Sequence, residues 1–172
     1  MSTQQAAMPD EFFASRTFDA PRALVWKAWT EREQLMRWFG PKGFTMPTAT
    51  LDLRPGGVFH YALRAPDGSD MWGKWIFREI VVPERLVFTV SFSDANGGMT
   101  RHPMNAQWPL ETLSTTTFDE DDGKTTITVR WSALNATEAE RQTFAENFDG
   151  MRMGWGGTFD QLGEYLAQQA TT

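Results

Sequence analysis

The stretch GMRMGWGGTF, residues 150–159, sets four glycines within eight positions of a segment whose neighbours spell a helix. Phe144, Phe148, Met151, Trp155, Phe159, Leu162 and Leu166 recur at steps of three and four, the period of one helical face. Upstream, Thr137 and Glu140 stand at the spacing of a capping box, in which each side chain satisfies an orphan amide at a helix start. The spacing predicts one helix over about 137–168. Its interior glycines Gly150, Gly154, Gly156 and Gly157 together cost about 2–4 kcal/mol relative to alanine, so something must offset them. At about 100° per residue, Gly150, Gly154 and Gly157 share a ridge away from the aromatic stripe. Either the ridge admits another backbone, in which case Gly154→Leu collides and destabilises, or the glycines soften the helix so that it follows a curved sheet. Both readings require a curved partner.

The rest of the chain supplies strands. Residues 11–19 read as a first strand, Pro21 opens a short helix through Trp29, and Thr30 with Glu33 marks a second capping box. That second helix turns Leu35 and Trp38 inward and stops at GPKG, residues 40–43. The period then becomes two. Strands are expected at 46–53, 58–64, 71–81, 86–92, 112–119 and 124–132, with RPGG (54–57), Asp67-Gly68, Pro83-Glu84 and DEDDG (119–123) as turns. Phe59, Tyr61 and Leu63 share one face and His60, Ala62 and Arg64 the other; Trp75 with Phe77, then Leu86, Phe88, Val90 and Phe92, then Ile127, Val129 and Trp131 continue the apolar face. The result is a seven-stranded antiparallel meander interrupted only by the early helix pair. Residues 94–110 have no period, and such long connections often cover sites. They are either an apolar-tipped lid, through Met99, His102, Met104 and Trp108, or a disordered insertion.

The strings APRALVWKAWTEREQLMRWFGPKGF, LDLRPGGVF, FREIVVPERLVF and GMRMGWGGTFDQLGEYL, in that order, closely resemble the family called activator of heat-shock-protein-90 ATPase homologue-like, within the START/SRPBCC superfamily. The resemblance spans about residues 12–167. It implies an α+β helix-grip fold, in which a curved seven-stranded antiparallel sheet wraps a long C-terminal helix, with two short helices after the first strand and a hydrophobic cavity between sheet and helix. The domain is expected at 11–168, with a flexible N-terminal segment at 1–10 and a tail at 169–172. Two departures bear on the cavity's mouth: a longer 94–110 loop, and about two extra residues in the strand at 71–81, the mark of a bulge.

Composition narrows function. The 172 residues carry a net charge of −6 and no cysteine, against a nucleic-acid surface and excluding disulfides and thiol chemistry. MSTQQAAMPDEF lacks the pattern of a secretory signal and no run approaches a membrane span, so a cytoplasmic protein is expected. Eight Trp and thirteen Phe either fill a core or line a cavity too wide to be filled.

On the helix-grip reading the cavity-lining candidates are Trp38, Phe39, Phe59, Tyr61, Trp75, Phe77, Phe88, Trp108, Phe148, Met151, Trp155 and Phe159. Candidate polar contacts are Arg54, Glu79 and His102, because Arg78 and Glu79 alternate on a regular strand and one of them must then face inward. His60 is expected to face solvent. No histidine spacing suggests a metal, the acidic run 119–122 fits a solvated turn, and no cofactor is expected. The favoured function is binding of a hydrophobic small molecule, lipid-, polyketide- or aromatic-like. The alternatives are a cyclase, aromatase or hydrolase-like enzyme, whose discriminator is His102 paired inside with Glu79 or Arg101, and a chaperone-associated stress-response partner. The last is the weakest, since the chain has no room for the eukaryotic activator's separate N-terminal domain. A homodimer is left open.

Overall fold

Alternation of apolar residues decides which face each strand turns inward, and the inward faces here form one aromatic wall. The computed structural model describes residues 11–170, and the segment expected to be flexible at 1–10 lies outside them. Among the described residues, eight strands and four helices follow in order: β1 (Glu11–Phe18), α1 (Arg22–Thr30), α2 (Arg32–Trp38), β2 (Thr45–Leu51), β3 (Val58–Arg64), β4 (Asp70–Val81), β5 (Arg85–Ser93), β6 (Met99–Thr100), β7 (Glu111–Asp121), β8 (Lys124–Leu134), α3 (Glu138–Glu146) and α4 (Phe148–Ala170). Seven strands form one antiparallel sheet in the order β1-β8-β7-β5-β4-β3-β2, and the two-residue β6 pairs with the end of β5. The sheet grips α4, whose Trp155, Phe159, Leu162 and Leu166 are buried against it. This is the helix-grip fold.

The core is an aromatic mesh seated between sheet, α1, α2 and α4. Trp29 of α1 lies at its centre, stacked on Trp155 with ring centroids 6.0 Å apart and planes 9° apart. It also meets Trp38, Trp75 and Phe118. Across the β4–β5 ladder, Trp75 stacks on Phe88 at 4.1 Å, a diagonal aromatic contact of the kind that strengthens a pleated pair.

Several local expectations are corrected. The predicted single helix over 137–168 is two: Asn147 lies between α3 and α4, and its side-chain amide donates to the Thr143 carbonyl at 2.8 Å. The Thr137–Glu140 capping box is formed in full. The second box, at Thr30, is not. Thr30 Oγ1 instead donates back to the Trp26 carbonyl at 2.7 Å, and α2 starts from Glu31 without a side-chain cap. The glycine ridge is not a close-packing surface along its length. A Cβ on Gly150, Gly154 or Gly156 would meet nothing within 4 Å, and one on Gly157 would stand 3.6 Å from the Lys42 amide nitrogen, ordinary contact. The collision expected of Gly154→Leu therefore has no partner at the Cβ. Finally, the strand at 71–81 does carry a bulge: Phe77 pairs with Phe88 and Glu79 with Val87, which leaves Arg78 as the extra residue. The alternation is broken there, so both Arg78 and Glu79 are exposed.

Candidate functional site

Between the concave sheet, α4 and the connection after β6 lies a cleft of about 300 Å³. The strands contribute Tyr61, Trp75, Phe88, Phe92 and Trp131, because each occupies an inward position of its alternating strand. One helical face of α4 adds Met151, Gly154, Trp155 and Thr158, and the 94–110 connection adds His102, Trp108, Pro109 and Leu110. Phe39, just past α2, closes the inner end: its ring meets Tyr61, Trp75 and Trp155 edge-on at 5.7, 5.3 and 6.4 Å. Among the described residues, no Asp, Glu, Lys or Arg lines the cleft.

Of the candidate lining residues, Phe39, Tyr61, Trp75, Phe88, Trp108, Met151 and Trp155 meet at this cleft. The others pack elsewhere. Trp38 is buried beside Trp29 and its indole N–H donates to the Ala28 carbonyl at 2.9 Å. Phe59 stacks behind Tyr61, and Phe77 lies edge-on to Phe88. Phe148 fills the seam between Phe12 and Phe144, and Phe159 packs on Phe18. Trp131 and Phe92, not singled out as lining residues, follow from the same alternation. Thr158 carries no such signal, since a threonine on the apolar helix face reads as an interruption. Its hydroxyl donates to the carbonyls of Gly40 and Gly154 at 3.1 and 3.0 Å, pinning the segment after α2 to the helix.

Two of the three polar candidates are turned away. Arg54 pairs with Asp52 at 2.8 Å in the exposed turn before β3, and Glu79 pairs with Arg85 at 2.9 Å on the outer side of the bulge. His102 lines the cleft, with its ring edge-on to Phe92 at 4.8 Å and near Trp108. His60, expected in solvent, is half-buried on the convex face. It stacks on Trp72 and its Nε2 reaches Ser93 Oγ and the Asp94 carbonyl, fixing the turn in which Asp94 accepts from the Asn96 and Gly98 amides.

The 94–110 connection is thereby an ordered strap. Arg101 sits at its root, where its guanidinium donates to the Trp108 carbonyl at 3.3 Å and to Glu140 Oε2 at 2.5 Å. The second Glu140 oxygen accepts the Thr137 amide, so one carboxylate both caps α3 and ties down the strap. The Thr137 amide and then the Arg101 guanidinium hold that carboxyl below its ordinary range. Trp108 adds a ring contact with Phe144 of α3 at 5.5 Å. Within the cleft, burial raises the Tyr61 phenol, opposed by the Trp75 indole N–H that donates to it, and burial lowers the His102 imidazole. Both shifts favour the neutral form of the group.

Tyr61 owes its position to Gly73, its partner across the β3–β4 ladder. A Cβ on Gly73 would stand 2.7 Å from the phenol oxygen, so the ring lies flat over a residue that has no side chain. Gly73→Ala is expected to push the ring into the cleft. Overpacking of about 1–3 kcal/mol, offset by about 0.5–1 kcal/mol of chain entropy, leaves a net loss of about 1 kcal/mol in urea denaturation.

Among the described residues, no group of three or more His, Asp or Glu is placed to hold a metal ion, and no helix is long and apolar enough to cross a membrane. Comparison with solved structures finds the same fold widely. A protein from Nitrosomonas europaea is 27% identical, with 94% of this chain and 97% of that one covered and a TM-score of 0.74. One from Arthrobacter aurescens is also 27% identical, covering 92% and 87% at 0.74, and one from Staphylococcus epidermidis is 26% identical, covering 95% and 93% at 0.68. No curated protein matches the sequence. The profile of the family described as "Activator of Hsp90 ATPase homolog 1-like protein" matches residues 19–167, and the chain belongs to that family.

Proposed function

We propose that the protein binds a hydrophobic small molecule in the cleft between sheet, α4 and strap. The observation that carries this reading is a 300 Å³ space walled by aromatic side chains with no Asp, Glu, Lys or Arg among the described residues that line it. That volume is at the lower end of the range of small-molecule sites, about 300–1,000 Å³, and such sites combine apolar walls with a few convergent polar groups. Apolar burial would supply affinity at about 25 cal/mol per Å², and the polar groups orientation.

The discriminator of the enzymatic alternative is an inward pair such as His102 with Glu79 or Arg101. Glu79 is held by Arg85 outside it and Arg101 by Glu140 at the strap's root, so that pairing is not assembled.

Native mass spectrometry of the purified protein tests the binding reading. The expected result is a species heavier than the 19.5 kDa chain that loses its adduct on denaturation, or, for a chain purified empty, saturable binding of a neutral naphthylamine dye. A clean chain mass together with no dye binding would overturn it.

A further inference from the structure

The chemistry of the cleft wall restricts what fits it. A charge brought into a space that offers no counter-charge loses its hydration uncompensated, so the absence of Asp, Glu, Lys and Arg among the described lining residues favours a neutral occupant. The hydroxyls of Tyr61, Ser91 and Thr112 can donate or accept, whereas Thr158, whose proton is held by the Gly40 and Gly154 carbonyls, can only accept. His102 is different. Its Nδ1 accepts the Met104 amide at 3.0 Å, which in the neutral ring leaves the proton on Nε2. Nε2 has no partner among the described residues, so this nitrogen is a donor only.

Across the cleft, Gly154 is the second anomaly. It lies in the interior of α4, is exposed at the cleft, and a Cβ there would meet nothing within 4 Å. Alanine would stabilise the helix at that position, and no neighbouring atom forbids it. The bare backbone therefore has no packing reason within the described chain.

We propose that the cleft selects an uncharged molecule that presents a hydrogen-bond acceptor, a carbonyl or ether oxygen, to His102 Nε2 and lies against the exposed backbone of α4 at Gly154. This rests on the binding reading above and adds to it the polarity of the ligand and two residues that discriminate among ligands.

Three tricyclic probes test it by isothermal titration: fluorenone, fluorene, which lacks the carbonyl, and fluorene carboxylate, which carries a charge. The wild type is expected to bind fluorenone about three- to tenfold more tightly than fluorene, the yield of one neutral hydrogen bond, and the carboxylate most weakly. His102→Phe should abolish the advantage of fluorenone while leaving fluorene bound, and His102→Gln, which keeps an N–H donor, should restore part of it. Gly154→Ala should raise the melting temperature by about 1–4 °C yet weaken both neutral probes. Equal affinities of the wild type for fluorenone and fluorene, or an advantage that survives His102→Phe, would overturn the donor role. A Gly154→Ala protein that binds like wild type would overturn the helix contact. Failure of the wild type to bind either neutral probe is a separate outcome, and it overturns the binding reading itself together with this inference.

Discussion

Trp29→Ala is expected to lower stability by about 3–5 kcal/mol, the range for deleting a large aromatic from a packed core. Trp29 is 1% exposed and touches Trp38, Trp75, Phe118 and Trp155. These neighbours come from α2, β4, β7 and α4, so the cavity left behind cannot collapse by moving one element alone. Against a total of about 5–15 kcal/mol for an ordinary domain, that loss is a large share of the stability. Trp29→Phe separates packing from polarity. The indole N–H of Trp29 has no hydrogen-bond partner among the described residues, so phenylalanine loses volume but also removes an unpaired donor, and its cost should be well under half that of alanine. Chemical denaturation of the two variants checks this. A Trp29→Ala loss below about 2 kcal/mol would mean that the helix pair is a cover, not a wall of the core.

The faces of the sheet were legible because alternation needs only local sequence: Phe59, Tyr61, Trp75, Phe88 and Trp131 all point inward as their period requires. Depth was not legible. Phe59 and Tyr61 share a face of β3, yet Phe59 is sealed behind its neighbour while Tyr61 borders the cleft, because position along the strand relative to α4 is set by tertiary packing. The outward turn of Glu79 was hidden for a related reason. A single bulged residue at Arg78 resets the alternation, and the composition of β4 marks an excess of residues without marking where it falls. The break at Asn147 left no glycine or proline signal, since an asparagine side chain can satisfy a helix carbonyl and end a helix quietly. His102 was named among several polar candidates, but its selection depends on the strap's anchorage at Arg101 and Glu140, a contact 39 residues apart in sequence. The glycines of α4 were visible, but the close-packing alternative for them finds no partner at Gly150 or Gly154, because sequence reports that a side chain is missing but not what stands opposite.

The other large effect has the opposite sign. The inner face of β7 reads Thr112, Ser114, Thr116, Phe118, three hydroxyls in a wall that is otherwise aromatic, and all four residues are buried. Ser114 is accounted for, since its Oγ accepts the Trp131 indole N–H at 3.0 Å and so fixes a ring that borders the cleft. Thr116 is not. It is 0% exposed and its Oγ1 has no partner among the described residues. An unpaired buried hydroxyl costs about 1–3 kcal/mol in desolvation, whereas an apolar group of the same shape is neutral or favourable. Valine has that shape and an equal preference for strands. Thr116→Val is therefore expected to stabilise the protein by about 1–3 kcal/mol, and Ser114→Ala to destabilise it by a similar amount because it strands the Trp131 donor. The pair is informative because the two residues are two apart on one face of one strand and share backbone and burial. A loss on Thr116→Val in urea denaturation would mean that Oγ1 is bonded to an internal water, the Trp29 N–H being the one other unpaired buried side-chain group among the described residues. A gain would mean that β7 carries an unsatisfied polar atom in its native state, a cost the aromatic mesh around it outweighs.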